Sequence, residues 1–170
     1  ALQALETMVV TAQARGVTCD YCHVGLFGTP DFRPALDDKP TKKTARVMLS
    51  MLQDINAKLG SELGKPAGDV TRVQCVTCHR GVPVPKQLAE ILTETAMRQG
   101  VQAALQRYRD LRKQFYGGQS YDFTEDSLIA LAQRAVFANR PDDAIAYLQT
   151  NLEFFPTSAQ SYATMSQAYT

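Results

Sequence analysis

The chain has 170 residues, is 45% hydrophobic and carries a formal net charge of +1. That size holds one domain, or one with a small appendage. The near balance of charge, without a basic stripe and interleaved aromatics, excludes a nucleic-acid binder, and no apolar run approaches the about 18 residues of a membrane span.

In chain order, Leu2, Leu5, Met8, Val9 and Ala12 recur at helical spacing and predict a helix over 2–15, with Gly16 as its stop. Val17 and Thr18 turn the chain into Cys19-Asp20-Tyr21-Cys22-His23. Residues 24–40 hold Gly25, Gly28, Pro30, Pro34 and Pro40, which is loop chemistry. A second helix is expected over 41–59, with Gly60 as its stop. A loop with Pro66 and an extended piece over 69–74 lead to Cys75-Val76-Thr77-Cys78-His79, and 80–85 form an extended exit. Beyond Pro85, helices are expected over 86–99 and 101–116, interrupted at Gly100. Gly117-Gly118-Gln119-Ser120 is a linker. A helix over 124–138 follows, with Thr124 or Asp126 as cap, and Pro141 opens the next, reaching 155. Thr157-Ser158-Ala159-Gln160 is a capping pattern for a last helix.

All four cysteines and both histidines lie in the two Cys-x-x-Cys-His motifs. This is the attachment signature of c-type haem. Each thiol can add to one vinyl group of the porphyrin, and the adjoining imidazole then becomes the proximal iron ligand. The pattern therefore predicts two covalently bound haem c groups, on Cys19, Cys22 and His23 and on Cys75, Cys78 and His79. One structural zinc held by four thiolates is the main competitor. Against it, 52 residues separate Cys22 from Cys75, and zinc needs no histidine after both pairs. Disulfides within each pair would close strained small loops more typical of redox pairs.

With both histidines used, bis-histidine ligation within the chain is excluded. The distal candidates are Met8, Met48, Met51, Met97 and Met165, a lysine, or no ligand. Methionine opposite histidine favours reduced iron and raises the potential. The order helix, turn, motif occurs twice, so each helix is expected to lie along its own haem and donate the distal sulfur. Met8 sits 11 residues before Cys19, while Met48 and Met51 are one turn apart on the second helix.

Three stretches carry a family likeness: Met8 with Gly16-Val17-Thr18-Cys19-Asp20-Tyr21-Cys22-His23-Val24; Lys43-Thr44-Ala45-Arg46-Val47-Met48 with Met51 and Ile55-Asn56; and Val76-Thr77-Cys78-His79-Arg80-Gly81. Together they resemble the cytochrome c subunit family of photosynthetic reaction centres, over roughly residues 1–90. In that family a methionine of the preceding helix is the usual sixth ligand. The resemblance implies Met8 for the first haem. It also implies Met48, the first methionine of the Ala-Arg-x-Met-x-x-Met pattern, for the second, with Met51 as the alternative. The best-known members carry four haems in two pairs and dock on a reaction centre. This chain carries one pair of motifs.

The expected fold is mostly α. Residues 1–85 form a dihaem cytochrome c module with long haem-wrapping loops, and 86–170 form C-terminal helical hairpins, tetratricopeptide-like from about 124. A shift of about 34 residues, the length of that repeat, aligns Ser127 with Ser161 and Gln133 with Gln167. The expected function is electron transfer between a redox protein donor and acceptor, not catalysis. Arg46, Arg72 and Arg80 are the expected propionate partners. The alternative is a haem-bearing subunit of a filament or larger assembly, docking on another copy or another protein through the C-terminal helices. A dihaem peroxidase would lack the usual distal histidine. Covalent haem attachment takes place outside the cytoplasmic membrane, and no signal peptide opens at Ala1. A periplasmic or extracellular protein with its leader removed is therefore expected.

Overall fold

The computed structural model describes residues 2–169. It is mostly helical, with eight α-helices among the described residues. The chain divides into two compact units, Ala1–Pro85 and Lys86–Thr170.

The first unit contains α1 (Leu2–Arg15), α2 (Pro40–Glu62) and α3 (Cys75–His79). Short 3-10 turns lie at Cys19–Tyr21 and Ala67–Asp69. Helix α1 ends as its pattern predicts. Gly16, at φ 61°, accepts the left-handed conformation that a non-glycine residue resists. The amide of Val17 then reaches back to the Ala12 carbonyl at 3.0 Å, and that of Gly16 to Gln13 at 3.1 Å. This pair of bonds is a Schellman stop, which satisfies carbonyls left open at a helix end. Helix α2 departs from expectation at both ends. It begins one residue earlier, because Pro40 fits the first helical turn. It also runs through Gly60 to Glu62. The stop is Gly64, at φ 59°, and Gly60 keeps helical backbone. A mid-helix glycine costs about 1 kcal/mol against alanine, which a helix this long tolerates.

The second unit contains α4 (Leu88–Gln99), α5 (Val101–Phe115), α6 (Glu125–Phe137), α7 (Pro141–Phe154) and α8 (Ala159–Ala168). Helices α4 and α5 pair as one hairpin, α6 and α7 as another, and α8 packs on α6 and α7. Leu92, Leu105, Tyr108, Leu128, Ala132, Ala144 and Leu148 are buried together. The cap of α8 is Ser158 and not Thr157: its hydroxyl accepts the Ser161 amide at 3.1 Å. Ser158 wins because its oxygen also bonds the Ser161 hydroxyl, itself held by Asn151 at 2.9 Å in the core.

Candidate functional site

The first Cys-x-x-Cys-His motif is wound by its own backbone. The Cys19 carbonyl accepts the amides of Cys22 at 3.2 Å and His23 at 3.0 Å. That single turn brings both thiols and the imidazole to one cavity of about 520 Å³. Helix α1 contributes Leu5, Met8, Ala12 and Arg15 to the wall, the following loop Phe27 and Phe32, and α2 Ala45, Arg46 and Leu49. Met8 thus faces the same space as Cys19, Cys22 and His23, as the helix, turn, motif order leads one to expect. The His23 ring meets Phe32 edge-on, centroids 5.7 Å apart. Its Nδ1 is buried without a hydrogen-bond partner.

The loop over 24–39 is held in place by cations of α2. Lys42 donates to the carbonyls of Pro34 and Leu36, each at 2.7 Å, and pairs with Asp37 at 2.7 Å. Arg46 grips the same carboxylate with two bonds of 2.6 and 2.7 Å. Arg46 foremost, then Lys42, holds the Asp37 carboxyl well below the ordinary carboxylate range. Lys39 donates to the Asp20 carbonyl, and Thr41 donates to that of Tyr21 at 2.5 Å, which fixes the first motif against the start of α2. The Thr18 hydroxyl, first among several donors, lowers the Asp20 carboxyl.

The second motif is itself a helix. The Gln74 amide donates to the Thr77 hydroxyl at 3.0 Å at its start. At its end Arg80 takes φ 46°, unusual for a residue with a Cβ, and its amide bonds the Val76 carbonyl at 3.0 Å. The His79 Nδ1 lies 2.9 Å from the Val82 carbonyl. A carbonyl only accepts, so Nδ1 carries the proton and Nε2 presents its lone pair. A bond of this kind fixes the tautomer and orientation of a metal-ligating histidine.

Two links tie the motifs together. The Gly81 amide bonds the Ala14 carbonyl at 2.9 Å, and a Cβ at Gly16 would come within 2.2 Å of the Gly81 oxygen. Asn56 of α2 accepts the Val73 amide and donates to the Val73 carbonyl, both at 2.8 Å, and so fixes the entry to α3.

Among the described residues no three His, Cys, Asp or Glu side chains gather as a metal site. Met8 joins the first motif. Met48 and Met51 lie on a different face of α2 from Ala45, Arg46 and Leu49, at 43% and 46% exposure, and neither lines the first cavity. Spacing did not single out Arg15, Asp37 or Lys42: Arg15 meets Pro83, far along the chain, and Asp37 and Lys42 meet only through the fold of an irregular loop. Asn56 carried a signal, as part of the Ile55-Asn56 stretch in the family likeness.

The family model described as photosynthetic reaction centre cytochrome C subunit matches residues 2–144. Cytochrome c-554 of Chloroflexus aurantiacus is 40% identical over 71 residues, 41% of this chain and 15% of that protein. The photosynthetic reaction center cytochrome c subunit of Rubrivivax gelatinosus is 37% identical over 70 residues, 41% of this chain and 16% of that protein. The chain thus matches a small part of each relative's length. No solved structure matches it.

Proposed function

We propose that this chain, which belongs to the photosynthetic reaction centre cytochrome c subunit family, is a dihaem electron carrier working between a donor and an acceptor protein. The observation that carries the reading is the convergence of Cys19, Cys22, His23 and Met8 on one cavity of about 520 Å³. Its donor set and largely aliphatic and aromatic wall suit a large flat apolar group with an iron at its centre. Haem, when bound, supplies a one-electron iron couple. Cys19 and Cys22 would retain it as thioethers, and His23 and Met8 would hold its iron. At the second motif Cys75 and Cys78 attach, and His79 offers the Nε2 that its Val82 bond leaves free. Met48 of α2 would supply the distal sulfur there, with Met51 as the alternative. Methionine ligands and an apolar wall both disfavour the extra charge of ferric iron and raise the potential.

Residues 1–85 are the dihaem module in this reading. Residues 86–170, tetratricopeptide-like from about 124, are the candidate docking element for a protein partner or a second copy. No helix among the described residues is long and apolar enough to cross a membrane. Covalent haem attachment takes place outside the cytoplasmic membrane, which supports a periplasmic or extracellular location. A redox titration combined with pyridine haemochrome quantification tests the reading. Two haems per chain and two one-electron midpoints are expected, and fewer than two haems in protein matured by its own export machinery would overturn it.

A further inference from the structure

Three cations line the first cavity: Arg15, Lys42 and Arg46. Two of them are paired with a protein carboxylate. Lys42 and Arg46 share the Asp37 carboxylate at 2.7 and 2.6 Å. Arg15 differs. It is only 7% exposed, pairs with no carboxylate among the described residues, and makes one long bond, 3.3 Å, from Nη2 to the Pro83 carbonyl. Its Nε is buried with no hydrogen-bond partner. The face of Tyr21, 5.2 Å away, is the other group the guanidinium meets. A buried charge without a counter-charge is costly, so folds keep one where an anion comes to meet it.

Resting on the haem reading above, we infer that Arg15 is the buried anchor for a propionate of the haem carried by Cys19 and Cys22. Haem carries two carboxylates, and the guanidinium fork suits a carboxylate better than a point charge does. Arg46, which charge and position on α2 would suggest for this role, is already engaged by Asp37 on two bonds. Arg15 would act as a positioning residue: it would hold the propionate edge of the group and offset the propionate's negative charge, which favours the ferrous state.

The test uses the holoprotein matured by its export machinery, as wild type, Arg15→Gln and Arg15→Lys. In Arg15→Gln one of the two midpoints falls, by a tenfold change in the ferric to ferrous ratio at fixed ambient potential, or about 59 mV for one electron. The other midpoint stays. Arg15→Lys recovers most of the difference. Unchanged midpoints, equal falls in both, or a Lys variant that drops as far as Gln would assign Arg15 to packing alone and overturn the inference. Should Arg15→Gln not mature, resonance Raman on the wild type decides. Propionate bending bands of two kinds, one from a charge-bonded carboxylate, support it, and solvent-type bands alone refute it. Peptide mass spectrometry that finds no haem on Cys19 and Cys22 would instead defeat the haem reading itself.

Discussion

Residues 2–85 and 86–169 are both helical, yet their apolar side chains go to different places. In the second unit they meet one another: Leu92, Leu128, Leu148 and Tyr108 are fully buried among five helices. In the first unit few apolar side chains are buried, and Leu5, Met8, Phe27 and Leu49 instead border a cavity or the surface. Backbone and polar bonds do much of the holding there: the Asn56 clamp on Val73, the Gly81 bond to Ala14, and the Lys42 and Arg46 grip on Asp37. A conventional core makes the second unit's fold a property of its sequence alone. The first unit buries little of its apolar surface against itself, so in the proposed reading its stability would be coupled to the haem it holds, as in proteins where ligand binding and folding are one equilibrium.

The largest expected effect breaks that contrast at its root. Replacing Cys19 and Cys22 together by Ala should remove one haem per chain by intact mass and collapse the first unit, while the helical signal of residues 86–169 persists. A uniform loss of helicity across both units would contradict the comparison. Next comes a core cut on the other side. Leu148→Ala or Leu92→Ala should cost about 2–5 kcal/mol in denaturant unfolding of the second unit, as buried leucines do. Haem content should stay unchanged. Smaller is Gly16→Ala, which forces a positive φ on a Cβ and drives that atom toward the Gly81 oxygen. We expect a loss of about 1–3 kcal/mol, read as earlier thermal bleaching of the Soret band.

Smallest is the acid response of the loop over 24–39. The Asp37 carboxyl is depressed below its ordinary 3.8, by Arg46 first and Lys42 second. A depressed acid contributes stability above its unfolded-state value and loses it as pH falls toward the folded one. Hydrogen exchange in this loop should therefore rise below about pH 4, and Asp37→Asn should reproduce the rise at neutral pH. The effect is modest because the pair is exposed and screened.

Much of the helical plan was legible because its signals are local. Gly16 ended α1 and Pro141 opened α7 as their sequence positions suggest. The errors fell where two local signals competed. Gly60 and Gly64 are both plausible stops for α2, and the left-handed backbone went to Gly64. Thr157 and Ser158 are both plausible caps, and the bond to Ser161 below the core chose Ser158. At the site, the two Cys-x-x-Cys-His motifs were readable from spacing, whereas the charges around them were not. Arg46 reads as free on a helical wheel until Asp37, nine residues earlier, comes round to meet it.

By itself the sequence determined the two Cys-x-x-Cys-His motifs, the use of every cysteine and histidine in them, and the helical texture, since these depend on spacings of a few residues. Only the tertiary structure decided that Leu5, Phe32 and Leu49 close one cavity around the first motif, and that Arg15, beside Pro83, is buried without a carboxylate among the described residues. Such facts depend on which distant segments pack together, and short-range periodicity carries no record of that.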